Sequence, residues 1–217
     1  MALVFSVCNK KGGQGKSTTA LSFAGKFSGL GKRVAVIDKD AQRTVSTWRS
    51  IAERAGITPA FDVIDGERES AVALVARLSQ SHDVVIVDLP GGRHDEAPAT
   101  ELLVVPTLAD ADSYVATVGA LAELERNHPG RYRTFVFANG VEPDTADHAA
   151  LLARNFPGQP FVKRRRAFPK TFLRAATVYT EKSGVPNTGW ATAEIDRVAE
   201  AFGLFVQSGE RTNHHPT

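Results

Sequence analysis

Nine residues near the start of the chain, Lys10-Lys11-Gly12-Gly13-Gln14-Gly15-Lys16-Ser17-Thr18, combine backbone freedom, positive charge and hydroxyl groups in one short run. Gly12, Gly13 and Gly15 let the backbone curl without Cβ clashes, so that successive N–H groups face an anion. Lys16 sets a point charge against β- and γ-phosphates, and Ser17 offers a hydroxyl to Mg²⁺. An apolar strand-like stretch at 3–8 precedes the run and a helical stretch at 17–28 follows it. The positive end of a helix therefore points at the same charge. A glycine-rich turn with solvated lysines would share the residues but not that setting. The run reads as a phosphate-binding loop, with Gly12, Gly13, Gln14, Gly15, Lys16, Ser17 and Thr18 at the ligand.

Three more sites follow strand-like stretches. The apolar run at 34–37 ends in Asp38-Lys39-Asp40, two carboxylates one residue apart with a cation between them. A buried strand ending this way aims both carboxylates at one ligand edge. They would equally cap the helix that follows, and both roles can hold together. Four β-branched residues at 84–87 precede Asp88, the pattern of a Walker B strand whose carboxylate holds Mg²⁺ through its water shell. Gly91 and Gly92 then free the next loop to follow a γ-phosphate. Asn139, after the stretch at 134–138, fits two roles: an amide that reads a base, or a turn residue before Gly140.

The loop departs from the usual P-loop by one residue, because Lys10 stands where the first glycine belongs. The pattern K-G-G-x-G-K-[ST], headed by Lys11, resembles the deviant Walker A motif of the ParA/MinD family of ATPases. Asn9-Lys10-Lys11-Gly12-Gly13 is most similar to the ParA branch. The resemblance implies ATP with Mg²⁺ as ligands, and catalytic parts for Lys11, Lys16 and Asp40. Lys11 would reach across a homodimer interface to the partner's nucleotide, offsetting the repulsion between two facing triphosphates. Asp40 would position the attacking water, Asp38 would support the metal or the loop geometry, and Ser17 and Asp88 would hold the metal. The family segment usually reads D-x-D-P-Q; here Ala41 replaces the proline and Lys39 is an unusual cation. The loop after Asp88 also departs from the family's Pro-Pro or Pro-Ser pair.

The resemblance weakens past the first half but continues. Lys163 to Pro169, Tyr179-Thr180-Glu181 and Ala193-Glu194-Ile195 are similar to small plasmid partition ATPases without an N-terminal helix-turn-helix. That implies an ATP-state homodimer that binds double-stranded DNA without sequence preference. It would position plasmid, chromosome or other cargo, with slow hydrolysis stimulated by a ParB-like or other cargo-bound partner. Two other readings share the loop. A MinD-like membrane-associated regulator needs a C-terminal amphipathic anchor, which Glu210-Arg211-Thr212-Asn213-His214-His215 does not offer. A metabolic enzyme of dethiobiotin-synthetase-like type needs an organic-substrate pocket, and no residue set demands one.

Net charge is only +2 over 217 residues, but it is unevenly spread. Between Gln159 and Lys182 stand Lys163, Arg164, Arg165, Arg166, Lys170, Arg174 and Lys182 against Glu181 alone, so this segment is +6 and the remainder −4. Such a cluster can neutralise phosphates in a sequence-independent way, and Lys163, Arg164, Arg165, Arg166, Lys170 and Arg174 are the candidate DNA contacts. The competing reading places Arg164, Arg165 and Arg166 at the dimer interface or beside the nucleotide. Phe168, Phe172 and Tyr179 are expected to pack the segment onto the core.

These parts need a scaffold. Strands are expected at 3–7, 33–38, 61–64, 84–88, 102–106, 134–138 and 161–162, with helices at 17–28, 44–55, 67–81, 110–127, 145–155 and 188–206. The strand candidates are mostly unbroken apolar runs, as in strands buried on both faces of a parallel sheet. The implied fold is α/β: a doubly wound, mostly parallel sheet of about seven strands with helices on both faces, ligand at the carboxyl ends. A single domain at 1–207 and a disordered polar tail at 208–217 are expected. His214 and His215 read as tail. The one cysteine excludes an intrachain disulfide, and Cys8 reads as a small buried hydrophobe. No signal peptide precedes the loop and no apolar run reaches membrane-spanning length, so a cytoplasmic, nucleoid-associated protein without stable membrane attachment is expected.

Overall fold

The computed structural model describes residues 1–92, 98–181 and 183–213. Six strands, β1 (Leu3–Val7), β2 (Val34–Asp38), β3 (Asp62–Asp65), β4 (Val84–Asp88), β5 (Leu102–Leu108) and β6 (Arg133–Asn139), form one sheet in the order β3-β2-β4-β1-β5-β6. Every pairing is parallel. Seven helices lie between and after them among the described residues: α1 (Lys16–Gly29), α2 (Thr44–Arg54), α3 (Ala71–Leu78), α4 (Ala111–Asn127), α5 (Ala146–Asn155), α6 (Ala167–Phe172) and α7 (Thr188–Ser208).

The unbroken apolar strands serve two cores at once. Phe5, Val7, Val34, Val36, Val84, Ile86, Val104, Phe135 and Phe137 face the layer of α1, α2 and α7, where Phe23 and Phe202 also sit. The residues between them, Ala35, Ile37, Val85, Val87, Leu103, Val105, Val136 and Ala138, face the layer containing Leu74 and Leu78 of α3. Alternate side chains point to opposite faces, so a strand covered on both sides must be apolar throughout. Phe5 meets Phe23, Phe27 and Phe202 edge-on, with ring centroids 6.0, 6.4 and 5.0 Å apart. Each such ring is worth roughly 1.5–3 kcal/mol of burial.

Strand order reverses its direction of winding at β1, which lies between β4 and β5. The crevice at that switch point is where a doubly wound sheet binds its ligand, and the glycine-rich loop opens from the end of β1.

Four expectations change. The seventh strand at 161–162 reduces to an isolated bridge between Val141 and Lys163, so the sheet has six strands. Helix α3 begins at Ala71 rather than 67, capped by Ser70 Oγ accepting from Ala73 N at 3.2 Å, because residues 66–69 form a loop with contacts of their own. Helix α6 lies in the basic segment where no helix was expected; Pro169 sits in its first turn, where a missing N–H costs nothing. The tail expected to be disordered from 208 is ordered to 213. After α7 ends on Gly209 in the left-handed conformation (φ 74°), Arg211 and Asn213 run beside β6. Arg211 O accepts from Thr134 N at 2.8 Å, and the Asn213 amide pairs with both Val136 N and Val136 O (2.7 and 2.9 Å). His214 and His215 lie outside the described residues, as does Lys182.

Candidate nucleotide site and its supporting loops

The loop between β1 and α1 takes the curled form its glycines permit. Gly13 and Gly15 have φ of 76° and 87°, a region L side chains avoid. A Cβ on Gly15 would also lie 2.2 Å from Asn139 Nδ2. Asn139 in turn donates to Gln14 O at 2.9 Å, so the end of β6 braces the loop from behind.

Two buried amides hold the loop from the other side. Gln14 is fully buried; its Oε1 accepts from Leu108 N at 2.7 Å and its Nε2 donates to Ser113 Oγ at 3.1 Å. The Gln14 side chain therefore points away from the ligand, and only its backbone can serve the phosphates. Asn9 Nδ2 donates to Pro106 O and Thr117 Oγ1 at 2.9 and 2.8 Å, while its Oδ1 accepts from Lys11 N at 3.0 Å. Sequence reasoning missed Asn9 as a support; the signal was a polar residue ending an apolar strand.

Lys16 is almost fully buried and crosses the loop: a Cβ on Gly91 would lie 3.1 Å from its Nζ and 3.5 Å from Gly12 Cα. Gly92 N donates to Lys10 O, so the loop after β4 rests on the phosphate loop. Thr18 is exposed on the first turn of α1. Lys10 is paired with Glu123. Lys11 stands 3.9 Å from Asp110 at partial exposure, a separation that holds it weakly and leaves the ammonium able to swing outward.

Asp38 and Asp88 are register partners at the carboxyl ends of β2 and β4. Asp88 is fully buried, and neither of its oxygens has a hydrogen-bond partner among the described residues. Burial pushes its carboxyl up to about 7. The Asp38 and Asp40 charges push the same way, opposed by the Ser17 hydroxyl and Lys16. Ser17 is thus near enough to favour the charged form without making a bond of normal geometry. An orphaned buried carboxylate beside a hydroxyl and an open glycine loop fits a hard cation, since a divalent ion supplies the missing charge. No set of three His, Cys, Asp or Glu side chains converges as a metal cluster among the described residues, so such an ion would draw its remaining ligands from phosphates and water.

Asp38 has other duties. Its Oδ1 accepts from Asp40 N at 3.1 Å and its Oδ2 from Ser46 N at 2.7 Å in the first turn of α2. Asp40 Oδ1 accepts from Gln42 N at 2.9 Å. The capping role is therefore present, and the charges of Asp38 and Asp40 still act on Asp88 across the ends of the two strands. Lys39 turns away from those ends: its Nζ donates to Gly66 O and Glu69 O at 2.7 and 3.2 Å.

The basic segment is less uniformly exposed than its sequence suggested. Arg165 is bidentate to Glu194 at 2.9 and 2.5 Å, and Glu194 is 2% exposed and also accepts from Lys163 N at 3.1 Å. That pairing offsets the Arg165 charge and makes it the strap that ties residues 163–165 to α7. Arg164 faces Glu142 at 3.2 Å, and Arg174 donates to Ser183 O at 3.0 Å, both from exposed positions. Arg166 and Lys170 are exposed and Lys163 is half-buried. Phe168, Phe172 and Tyr179 pack against the core as expected.

Residues 5–178 match the CobQ/CobB/MinD/ParA nucleotide binding domain. The chain belongs to that family of ParA/MinD-type ATPases. Protein ParA of Rhizobium radiobacter is 35% identical over 218 residues, covering 94% of this chain and 95% of that protein. The chromosome partitioning protein ParA of Caulobacter vibrioides is 35% identical over 85 residues, and the match spans only 32% of its length. Among solved structures, a putative plasmid partition protein of Borrelia burgdorferi bound to AMPPNP superposes with a TM-score of 0.73 at 14% identity, covering 94% of this chain and 99% of that one. The pNOB8 ParA bound to nonspecific DNA gives 0.62 at 17% identity, covering 97% of this chain and all of that one. At these identities the likeness is one of fold. As a ParA/MinD-type chain, this protein sets its glycine loop and the strand-end Asp38 and Asp88 on a parallel sheet of six strands among the described residues.

Proposed function

We propose that the chain is an ATP hydrolase of ParA type whose ATP-bound homodimer positions DNA or another cargo. The observation that carries this reading is Asp88, buried beside Ser17 and Lys16 at the mouth of the glycine loop with no hydrogen-bond partner among the described residues. With ATP bound, the loop's N–H groups and Lys16 would hold the phosphates, and Ser17 and Asp88 would hold Mg²⁺. The cation supplies charge neutralisation at the transferred phosphoryl group. Asp40, at the open edge of the same site, orients the attacking water. Lys11, only weakly held by Asp110, reaches the partner's nucleotide and makes dimerisation depend on ATP.

DNA binding follows from the cations that stay exposed. Arg164, Arg166, Lys170 and Arg174, with the half-buried Lys163 beside them, form a local excess of positive charge on a chain that is otherwise net acidic. The contact is with phosphates, and it is therefore sequence-independent. A cargo-bound protein partner, ParB-like in role, stimulates hydrolysis and releases the dimer. The bound-DNA state of the pNOB8 relative supports this reading by fold.

Sedimentation in ATP and in ADP, each with and without random duplex DNA, tests the proposal alongside phosphate release. An ATP-only dimer that co-sediments with DNA and turns over ATP is the expected result. Turnover that appears only with a small acid or amine would move the protein to the metabolic class.

A further inference from the structure

Lys39 was the feature of the sequence with no role: a cation between two carboxylates that the site needs. In the structure it is held on two sides. Its backbone N donates to Asp88 O at 2.9 Å, tying it to the end of β4. Its side chain turns the opposite way, onto the loop after β3, where Nζ donates to Gly66 O and Glu69 O. That loop closes against the strand as well, with Gly66 N donating to Asp38 O at 2.9 Å. The fit depends on glycine: a Cβ at the buried Gly66 would lie 2.6 Å from Lys39 Cδ and 2.7 Å from Asp38 O.

A second cation repeats the arrangement four residues later. Arg43, held at φ 52° as the residue before α2, donates to Glu67 Oε2 at 2.7 Å and also pairs with Asp65. Arg43 N donates to Asp40 O at 2.8 Å, closing the turn that carries Asp40. The segment 39–43 is thus fastened at both ends to residues 65–69, and Asp40 stands inside the fastened span.

We propose that Lys39, seconded by Arg43, is a positioning residue for hydrolysis: it locks the Asp40 turn onto the loop after β3 so that the Asp40 carboxylate meets the attacking water in one geometry. Both cations are turned onto the loop after β3, and each acts through the backbone on which Asp40 is mounted. Water orientation is sensitive to displacements on the order of 1 Å, which cost about a hundredfold in rate. Phosphate affinity is set by the glycine loop and Lys16 and does not depend on this span. The absence of proline at Ala41 leaves the turn without that rigid element, and the two cation clamps replace it.

The inference rests on the hydrolytic reading of Asp40. In the full chain, Lys39→Met keeps the aliphatic stem and removes the donor. It should lower kcat for ATP by about ten- to a hundredfold with KM within about twofold, and Lys39→Arg should restore most of the rate. Arg43→Gln, at an exposed position, should lower kcat in the same direction with KM again unchanged. Melting of each variant in Mg-ATP accompanies the kinetics, and Arg43→Gln carries the test should Lys39→Met fold poorly. Unchanged kcat in both variants, or a loss that appears in KM instead, overturns the inference while leaving the ATPase reading intact. A parent protein that hydrolyses no ATP removes that reading and this inference with it.

Discussion

Asp38 and Asp88 end neighbouring strands in the same register, yet their carboxylates have opposite fates. Asp38 spends both oxygens on backbone N–H groups of Asp40 and Ser46. Asp88 has no hydrogen-bond partner for either oxygen among the described residues. One carboxylate builds the loop geometry, and the other waits for charge from outside the chain. The sequence left Asp38 between metal support and loop geometry; its hydrogen bonds place it in the loop geometry.

Asp88→Asn should therefore abolish the Mg²⁺ dependence of nucleotide affinity without harming the fold. An unpaired buried carboxylate opposes folding, so the apo variant should melt at or above the parent temperature. Titrating ATP with and without Mg²⁺, beside a thermal melt, reads both effects. Retained Mg²⁺ dependence would place the cation elsewhere.

Lys11 and Lys16 should separate cleanly. Lys16→Ala removes the charge inside the loop and should lose ATP binding. Lys11→Ala should bind ATP within a modest factor but remain monomeric. Analytical ultracentrifugation in ATP decides it: a Lys11→Ala dimer as tight as the parent's sinks the cross-dimer role.

The arginine cluster should split by burial. Breaking the Arg165–Glu194 pair by Glu194→Ala leaves a part-buried guanidinium without its partner and should cost about 3–5 kcal/mol. The quadruple alanine variant of Arg164, Arg166, Lys170 and Arg174 should stay folded and still dimerise in ATP. It should lose affinity for random duplex DNA, and the parent's log affinity should fall linearly with log salt. Full DNA affinity in the quadruple variant would put the surface elsewhere; loss of dimerisation would assign these arginines to the interface.

Asn213→Ala should loosen the edge of β6. Its amide replaces a strand's peptide group, pairing with both polar atoms of Val136, which is itself 1% exposed. Leaving such groups unpaired costs about 1–3 kcal/mol, and hydrogen exchange at the Val136 amide should speed accordingly. Unaltered protection would mean that the backbone bonds of Arg211 and Asn213 to Thr134 hold the edge without the amide.

Cys8 should resist alkylation in the folded protein. Burial raises its thiol to about 12, only partly opposed by Lys16. The neutral thiol is the form the fold favours, so this contribution to stability is intact below about pH 9 and lost as pH rises toward 12. Iodoacetamide at pH 8 should label the denatured chain but not the native one; rapid native labelling would refute the burial.

Much of this protein was legible in its residues because local chemistry and strand context coincide. Glycines at left-handed positions, a lysine and a hydroxyl at a helix start, and aspartates ending apolar runs specify a phosphate loop at the carboxyl edge of a parallel sheet. Unbroken apolar strands likewise announce helices on both faces. What the sequence could not show is which polar side chains face the ligand and which face the scaffold. Gln14 and Asn139 sit at loop positions that look open to nucleotide, but Gln14 bonds to Leu108 and Ser113, and Asn139 to Gln14 O. Arg165 looked like its neighbours until Glu194, 29 residues away, took it. The polar tail looked free until Asn213 met the edge of β6, and Lys39 looked misplaced until β3 brought Gly66 beside it. Each is a hydrogen bond between residues far apart in the chain. Such partners are assigned by the packing of whole elements, and only the tertiary structure decides them.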